Sequence, residues 1–233
     1  MWLLNSSVGK KVIMSVSGVG LVLFLLFHMC MNLVALFSAD AYNAICGFLG
    51  ANWYALVATV GLAALVVIHI VYAFVLTIQN RRARGGQSYA YTDRPKSVEW
   101  ASQNMLALGI VVALGLLLHL CNFWANMQLV EIMHKLGIHV DAVVLDNATK
   151  GVHYMVETFG NYIYTACYIV WLVALWFHLT HGFWSAMQSL GVNNKVWFNR
   201  WRVIGNVLVT IIVLGFMAVV VAYAFCPCLA GQC

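Results

Sequence analysis

The chain has 233 residues, 64% of them hydrophobic and only 8% charged, with a formal net charge of +5. A soluble domain carries about 25% charged residues, so this composition excludes an ordinary soluble enzyme, a nucleic-acid binder and a disordered chain. It fits an all-α, polytopic membrane protein whose spans each need about 20 apolar residues.

In chain order, five apolar segments stand out. They run at about Val12–Phe37, Trp53–Ile78, Ala101–Leu129, Phe159–Met187 and Val203–Phe225. The charge-free run Val12–Ala39 is 28 residues long, too long for the core of a cleavable signal, and reads as a retained anchor. Both prolines, Pro95 and Pro227, fall outside the segments, so each span can be an unbroken helix. No internal repeat is evident. The expected organisation is one transmembrane domain over 1–225, followed by a cysteine-containing tail at 226–233. A bridge from Cys233 to Cys226 or Cys228 is open to that tail if it faces an oxidising compartment.

The connections separate by charge. Lys10 and Lys11, then Arg81, Arg82, Arg84, Arg94 and Lys96, then Lys195, Arg200 and Arg202 make ten of the twelve basic residues and share one side. The positive-inside rule places that side in the cytoplasm, with the C-terminus outside the inner membrane. The connection at about Val130–Thr158 is expected to fold on the outer surface.

Within the spans the only ionisable side chains are histidines: His28, His69, His119, His178 and His181. Such residues are expensive in a bilayer and mark function. At 1.5 Å per residue, His28 lies about 26 Å and His119 about 30 Å from the inner edge; His69 lies about 18 Å and His178 about 20 Å from it. The depths give two pairs, His28 with His119 in the outer half and His69 with His178 in the inner half. Matched imidazoles on neighbouring helices are what bis-histidine haem ligation needs. A lone intramembrane histidine serves as readily in a helix–helix hydrogen bond or a proton relay, and His181, the additional histidine of the fourth span, reads as structural or as supporting a ligand. Gly115 and Gly182, each one turn from a paired histidine, are the small residues that would let a flat macrocycle approach. Ser17, on nearly the same face as His28 but nearer the cytoplasm, is a candidate partner for an inner haem's propionates. The outer histidines His134, His139 and His153 read as solvated.

Ser15–Val16–Ser17–Gly18 followed by Phe24, His28 and Asn32 resembles the opening helix of the dihaem cytochrome b anchor of succinate:quinone oxidoreductases and quinol:fumarate reductases. His69 before Arg81–Arg82 resembles the second helix, and His119–Leu120 the third. His178 before Gly182–Phe183–Trp184 resembles the fourth. The likeness covers about Lys10 to Phe225. It implies two haem b groups, with His69 and His178 on the proximal haem and His28 and His119 on the distal one. It implies menaquinone or menaquinol as the membrane reactant and a role in electron transport and anaerobic respiration. The implied partners are a flavoprotein with FAD and an iron–sulfur protein on the cytoplasmic side, and the oligomeric state of the complex stays open.

The chain departs from the family at two places. Trp176 stands where some members carry a Glu, and the first outer connection offers Asp40 as its only carboxylate. Asp40 is the candidate acid for a quinone site between the outer ends of the first two spans, or else a helix cap. Two other readings use the same histidines: a cytochrome b anchor of a hydrogenase or formate dehydrogenase, and a haem-free transporter that relays protons.

Overall fold

A computed structural model describes residues 6–84 and 100–226. Arg94 and Lys96 in the second connection, and Cys228 and Cys233 in the tail, lie outside the described residues, so the proposed tail bridge does too. Among the described residues all regular structure is helical. Five helices are long and apolar enough to cross a membrane: Ser7–Leu36, Trp53–Ala83, Met105–Trp124, Tyr162–Ser189 and Trp197–Phe225. The protein is an all-α, multi-pass membrane protein.

The helices are α1 (Ser7–Leu33), α2 (Ala39–Phe48), α3 (Trp53–Arg84), α4 (Trp100–Gln103), α5 (Met105–His119), α6 (Gln128–Lys135), α7 (Ala142–Asn147), α8 (Gly151–Phe159), α9 (Tyr162–Ser189) and α10 (Trp197–Phe225). A 3-10 turn, Val34–Leu36, extends α1, and a π turn, Leu120–Trp124, extends α5.

Polar side chains move several boundaries away from those expected from hydropathy. Ser6 Oγ accepts from the Gly9 amide and starts α1 before its apolar run, so Lys10 and Lys11 are helical. The third segment is not one helix. Asn104 donates to the Trp100 carbonyl and separates α4 from α5; Asn126 donates to the carbonyls of Cys121 and Asn122, where the chain leaves the π turn. Side-chain amides that bond the nearby backbone compete with the helical ladder in this way. The fourth span starts at Tyr162 rather than Phe159, because Asn161 caps it by accepting from the Ile163 amide. Its C-terminus closes at Gly191, whose φ of 77° lies in the left-handed region that glycine enters without a Cβ clash.

α9 is the hub, packed against α1, α5 and α10; α1 also packs on α3 and α10. The buried core lies mainly between α1, α9 and α10, with Val22, Met29, Leu172, Leu175, Val209 and Ile212 at its centre. Apolar residues such as Leu23, Val67, Leu114, Val207 and Leu214 point outward, as lipid contact requires. α3 is the least enclosed span, since its most apolar window contains no buried residue.

The outer connection is more than surface cover. In α8, Val152, Tyr154, Met155 and Phe159 are buried, and α8 packs on α2 and α10. α6 ties the outer ends together. Gln128 accepts from Thr59 Oγ1 and Trp124 Nε1 and donates to the Gly50 carbonyl. Glu131 accepts from the Ala51 amide and Lys135 donates to the Ala51 carbonyl. His134, His139 and His153 are exposed, as expected from the sequence.

Candidate functional site

Two imidazole pairs form inside the bundle, and they are the pairs that depth arithmetic gives. His28 on α1 and His119 at the end of α5 have ring centroids 5.8 Å apart with planes at 80°. His69 on α3 and His178 on α9 are 6.3 Å apart with planes at 67°. All four rings are half-buried. Neither α1 with α5 nor α3 with α9 belongs to the closely packed helix pairs. The rings therefore meet across diagonals of the bundle, where the backbones stand apart.

The inner pair has a defined second layer. Ser17 Oγ lies 3.2 Å from His69 Nδ1 and donates to the Met14 carbonyl at 3.0 Å. The sequence suggested this serine as a propionate partner; in the fold its hydroxyl is engaged at the His69 ring. It is 2% exposed. Gly18 faces the same ring, and a Cβ there would stand 3.3 Å from His69 Cε1. His178 Nδ1 is buried without a protein partner. A Cβ on Gly182 would meet nothing within 4 Å, so the space beside the fourth span is open as the spacing suggests. His181 turns to another neighbour, meeting Trp184 edge-on at 5.1 Å.

The outer pair is walled by aromatics. Phe24 stacks on His28 at 5.3 Å and 14°. His119 is flanked by Phe123, Tyr168 and Trp171 at 5.1–6.3 Å. Gly115 serves Trp171 rather than open space: a Cβ there would fall 2.1 Å from Trp171 Cδ1. The indole is pinned by its Nε1 donating to the Val112 carbonyl at 3.0 Å. The π turn begins immediately after His119 and re-aims Asn122 so that its Nδ2 donates to Tyr168 Oη. Such turns recur at functional positions.

Asp40 is not gathered into either pair. It is exposed in the first turn of α2, and the cap of that helix is Ser38, whose Oγ accepts from the Ala41 amide. Trp176 uses its Nε1 to donate to Thr210 Oγ1 at 3.0 Å, which fastens α9 to α10.

Three contributors escaped sequence reasoning. Gly18 faces His69 only through the register of α1 against α3, which no spacing reveals. The π turn has no periodicity signal in an all-apolar stretch. Tyr42, whose hydroxyl donates to Asn32 Oδ1 at 3.1 Å, follows a helix break and carries no spacing relation to His28.

Comparison of the chain with protein-family models, with curated proteins and with solved structures finds no match.

Proposed function

We propose that the chain is the dihaem cytochrome b membrane anchor of a succinate:quinone or quinol:fumarate oxidoreductase. One observation carries this reading: four half-buried imidazoles meet in two pairs on diagonal helices. His69 with His178, and His28 with His119, would each hold one haem iron between two ring nitrogens. The inner pair stands at 6.3 Å and the outer at 5.8 Å. The residues around them also fit such a group. His178 keeps a buried nitrogen without a protein partner, and Gly182 opens onto free space. A histidine relay for protons needs neither the matched pairing nor the diagonal spacing.

In this reading His69 and His178 hold the inner haem, and His28 and His119 the outer one. Haem b held by these histidines would supply one-electron transfer. The polypeptide does the rest. Ser17 orients the His69 ring, Phe24 and Trp171 fix the outer rings by stacking, and the apolar helices keep water away. Lys10, Lys11, Arg81, Arg82, Arg200 and Arg202 mark the cytoplasmic end by the positive-inside rule. That end faces the iron–sulfur and FAD-containing subunits, while menaquinone or menaquinol exchanges electrons from the membrane. Asp40, the exposed carboxylate of the first outer connection, is in this reading the acid for proton exchange near the outer ends of the first two spans.

The test is direct. Purified protein is expected to show two haem b per chain by pyridine haemochrome, a reduced-minus-oxidised α band, and a copurifying flavoprotein. Colourless protein would refute the reading, and haem with a hydrogenase or formate dehydrogenase partner would move it to another respiratory complex. Ser17→Ala is expected to weaken retention of the inner haem about 10- to 100-fold, the usual effect of losing a group that orients a metal-bound histidine. Haem content after extended detergent washing reads this out, with the outer haem unaffected.

A further inference from the structure

We infer that Asn32 and Tyr42 form a clamp that aims an amide N–H at the outer imidazole pair and so raises the reduction potential at that position. The inference rests on the dihaem reading and deepens it by naming positioning residues for the outer site.

Asn32 lies one helical turn beyond His28, on the same face of α1. Its Nδ2 donates to the His28 carbonyl at 2.8 Å and stands 3.4 Å from both Nδ1 and Nε2 of the His28 ring. The amide nitrogen thus lies over the face of the ring, equidistant from its two nitrogens, because in the ring plane the same distances would drive it into Cε1. Its Oδ1 accepts from Tyr42 Oη at 3.1 Å. These partners fix which way the amide points. A backbone carbonyl can only accept, so nitrogen must face the His28 carbonyl and oxygen must face the tyrosine, which then donates.

Tyr42 is held in place from outside the span. It is 8% exposed. Gly151, at the start of α8, lies against it so closely that a Cβ there would stand 2.6 Å from the Tyr42 ring and 2.6 Å from Cys46 Sγ. The Val152 amide donates to Asn43 Oδ1 and fastens α8 to α2. Burial, with Cys46 beside it, pushes the Tyr42 hydroxyl well above its ordinary range, so it stays a neutral donor. The outer connection thereby reaches the His28 ring through the Tyr42–Asn32 hydrogen bond and the amide nitrogen that lies against the ring.

The electrostatic consequence has a definite sign. The positive end of an N–H dipole at a ligand ring disfavours further positive charge there. It therefore favours the reduced state of whatever metal the ring holds.

The experiment is a redox titration of the purified full chain, followed at the haem α bands. The outer haem is identified as the one absent from His119→Ala. At fixed ambient potential, Asn32→Leu is expected to lower the reduced-to-oxidised ratio of the outer haem roughly three- to tenfold, the scale of one hydrogen bond. Tyr42→Phe keeps the ring and its packing and should give a smaller fall of the same sign. The double variant should fall no further than Asn32→Leu alone, because the two act through one amide. The inner haem should not move, and the low-spin ferric resonance of the outer haem should shift. An unchanged outer ratio in both variants, or equal shifts at both haems, would overturn the clamp. If Asn32→Leu takes up no outer haem, the Tyr42→Phe ratio alone decides. A wild-type chain without haem refutes the dihaem reading itself; a wild-type chain with two haems and an unshifted outer ratio refutes only the clamp.

Discussion

On the dihaem reading proposed above, replacing His69 or His178 with alanine is expected to remove the inner haem and leave the outer one, and replacing His28 or His119 is expected to do the reverse. The expectation follows from the two diagonals. His28 lies against His119 and His69 against His178, each pair drawing on one helix from either side of the α1–α9 contact. Truncating one ring takes away one of the two imidazoles that would hold the iron there and leaves a cavity beside the other, so haem occupancy at that position should be lost. The second position keeps both of its ligands. Haem-to-protein stoichiometry and the difference spectrum of each variant measure this. Four variants that all retained two haems would make the ligand assignment wrong. His181→Ala should retain both, because its ring is turned toward Trp184; loss of the inner haem in that variant, with His178→Ala unaffected, would transfer the ligand role.

Gly115→Ala should be the most damaging single methyl addition near the outer pair. The new Cβ would stand 2.1–2.4 Å from three atoms of the Trp171 indole, so the indole must move. It has little room. Its Nε1 is bonded to the Val112 carbonyl, and its faces meet Tyr168 and His119. Overpacking of this kind costs about 1–3 kcal/mol, and losing the indole hydrogen bond adds about 1 kcal/mol. The expected result is a lower thermal unfolding midpoint together with reduced outer-haem occupancy. Gly61→Ala makes a clean comparison, since a Cβ there meets no protein atom within 4 Å and the residue has no part in either histidine pair. Its stability should not fall. A Gly115→Ala chain as stable as the Gly61→Ala chain would show that the indole yields freely.

The fold class was legible in the sequence because a bilayer imposes a single strong rule. Backbone polar groups must be satisfied within each span, so a charge-poor apolar run of sufficient length has one way to cross. Five runs gave five spans, and the start of the second, at Trp53, coincides with the helix. The histidine pairing was legible for a related reason: a helix rises by a fixed amount per residue, so distance from a charged edge converts to depth.

Other features depend on rotation about the helix axis and on register between helices, which apolar composition leaves nearly unconstrained. Hydropathy placed the third span as continuous, while Asn104 and Asn126 divide it by bonding nearby carbonyls. Spacing placed Gly115 on the face of His119, and the packing of α9 filled that face with Trp171. Spacing offered Ser17 as a partner for an inner haem's propionates, and the register of α1 against α3 sets its hydroxyl at the His69 ring. Tyr42 reaches Asn32 only because α8 and α2 are pressed together by the outer connection. The sequence by itself determined that this chain spans a membrane five times and carries four histidines at two depths. The tertiary structure alone decided which groups surround those histidines, because depth follows from covalent helix geometry whereas neighbours follow from how side chains of different helices interlock.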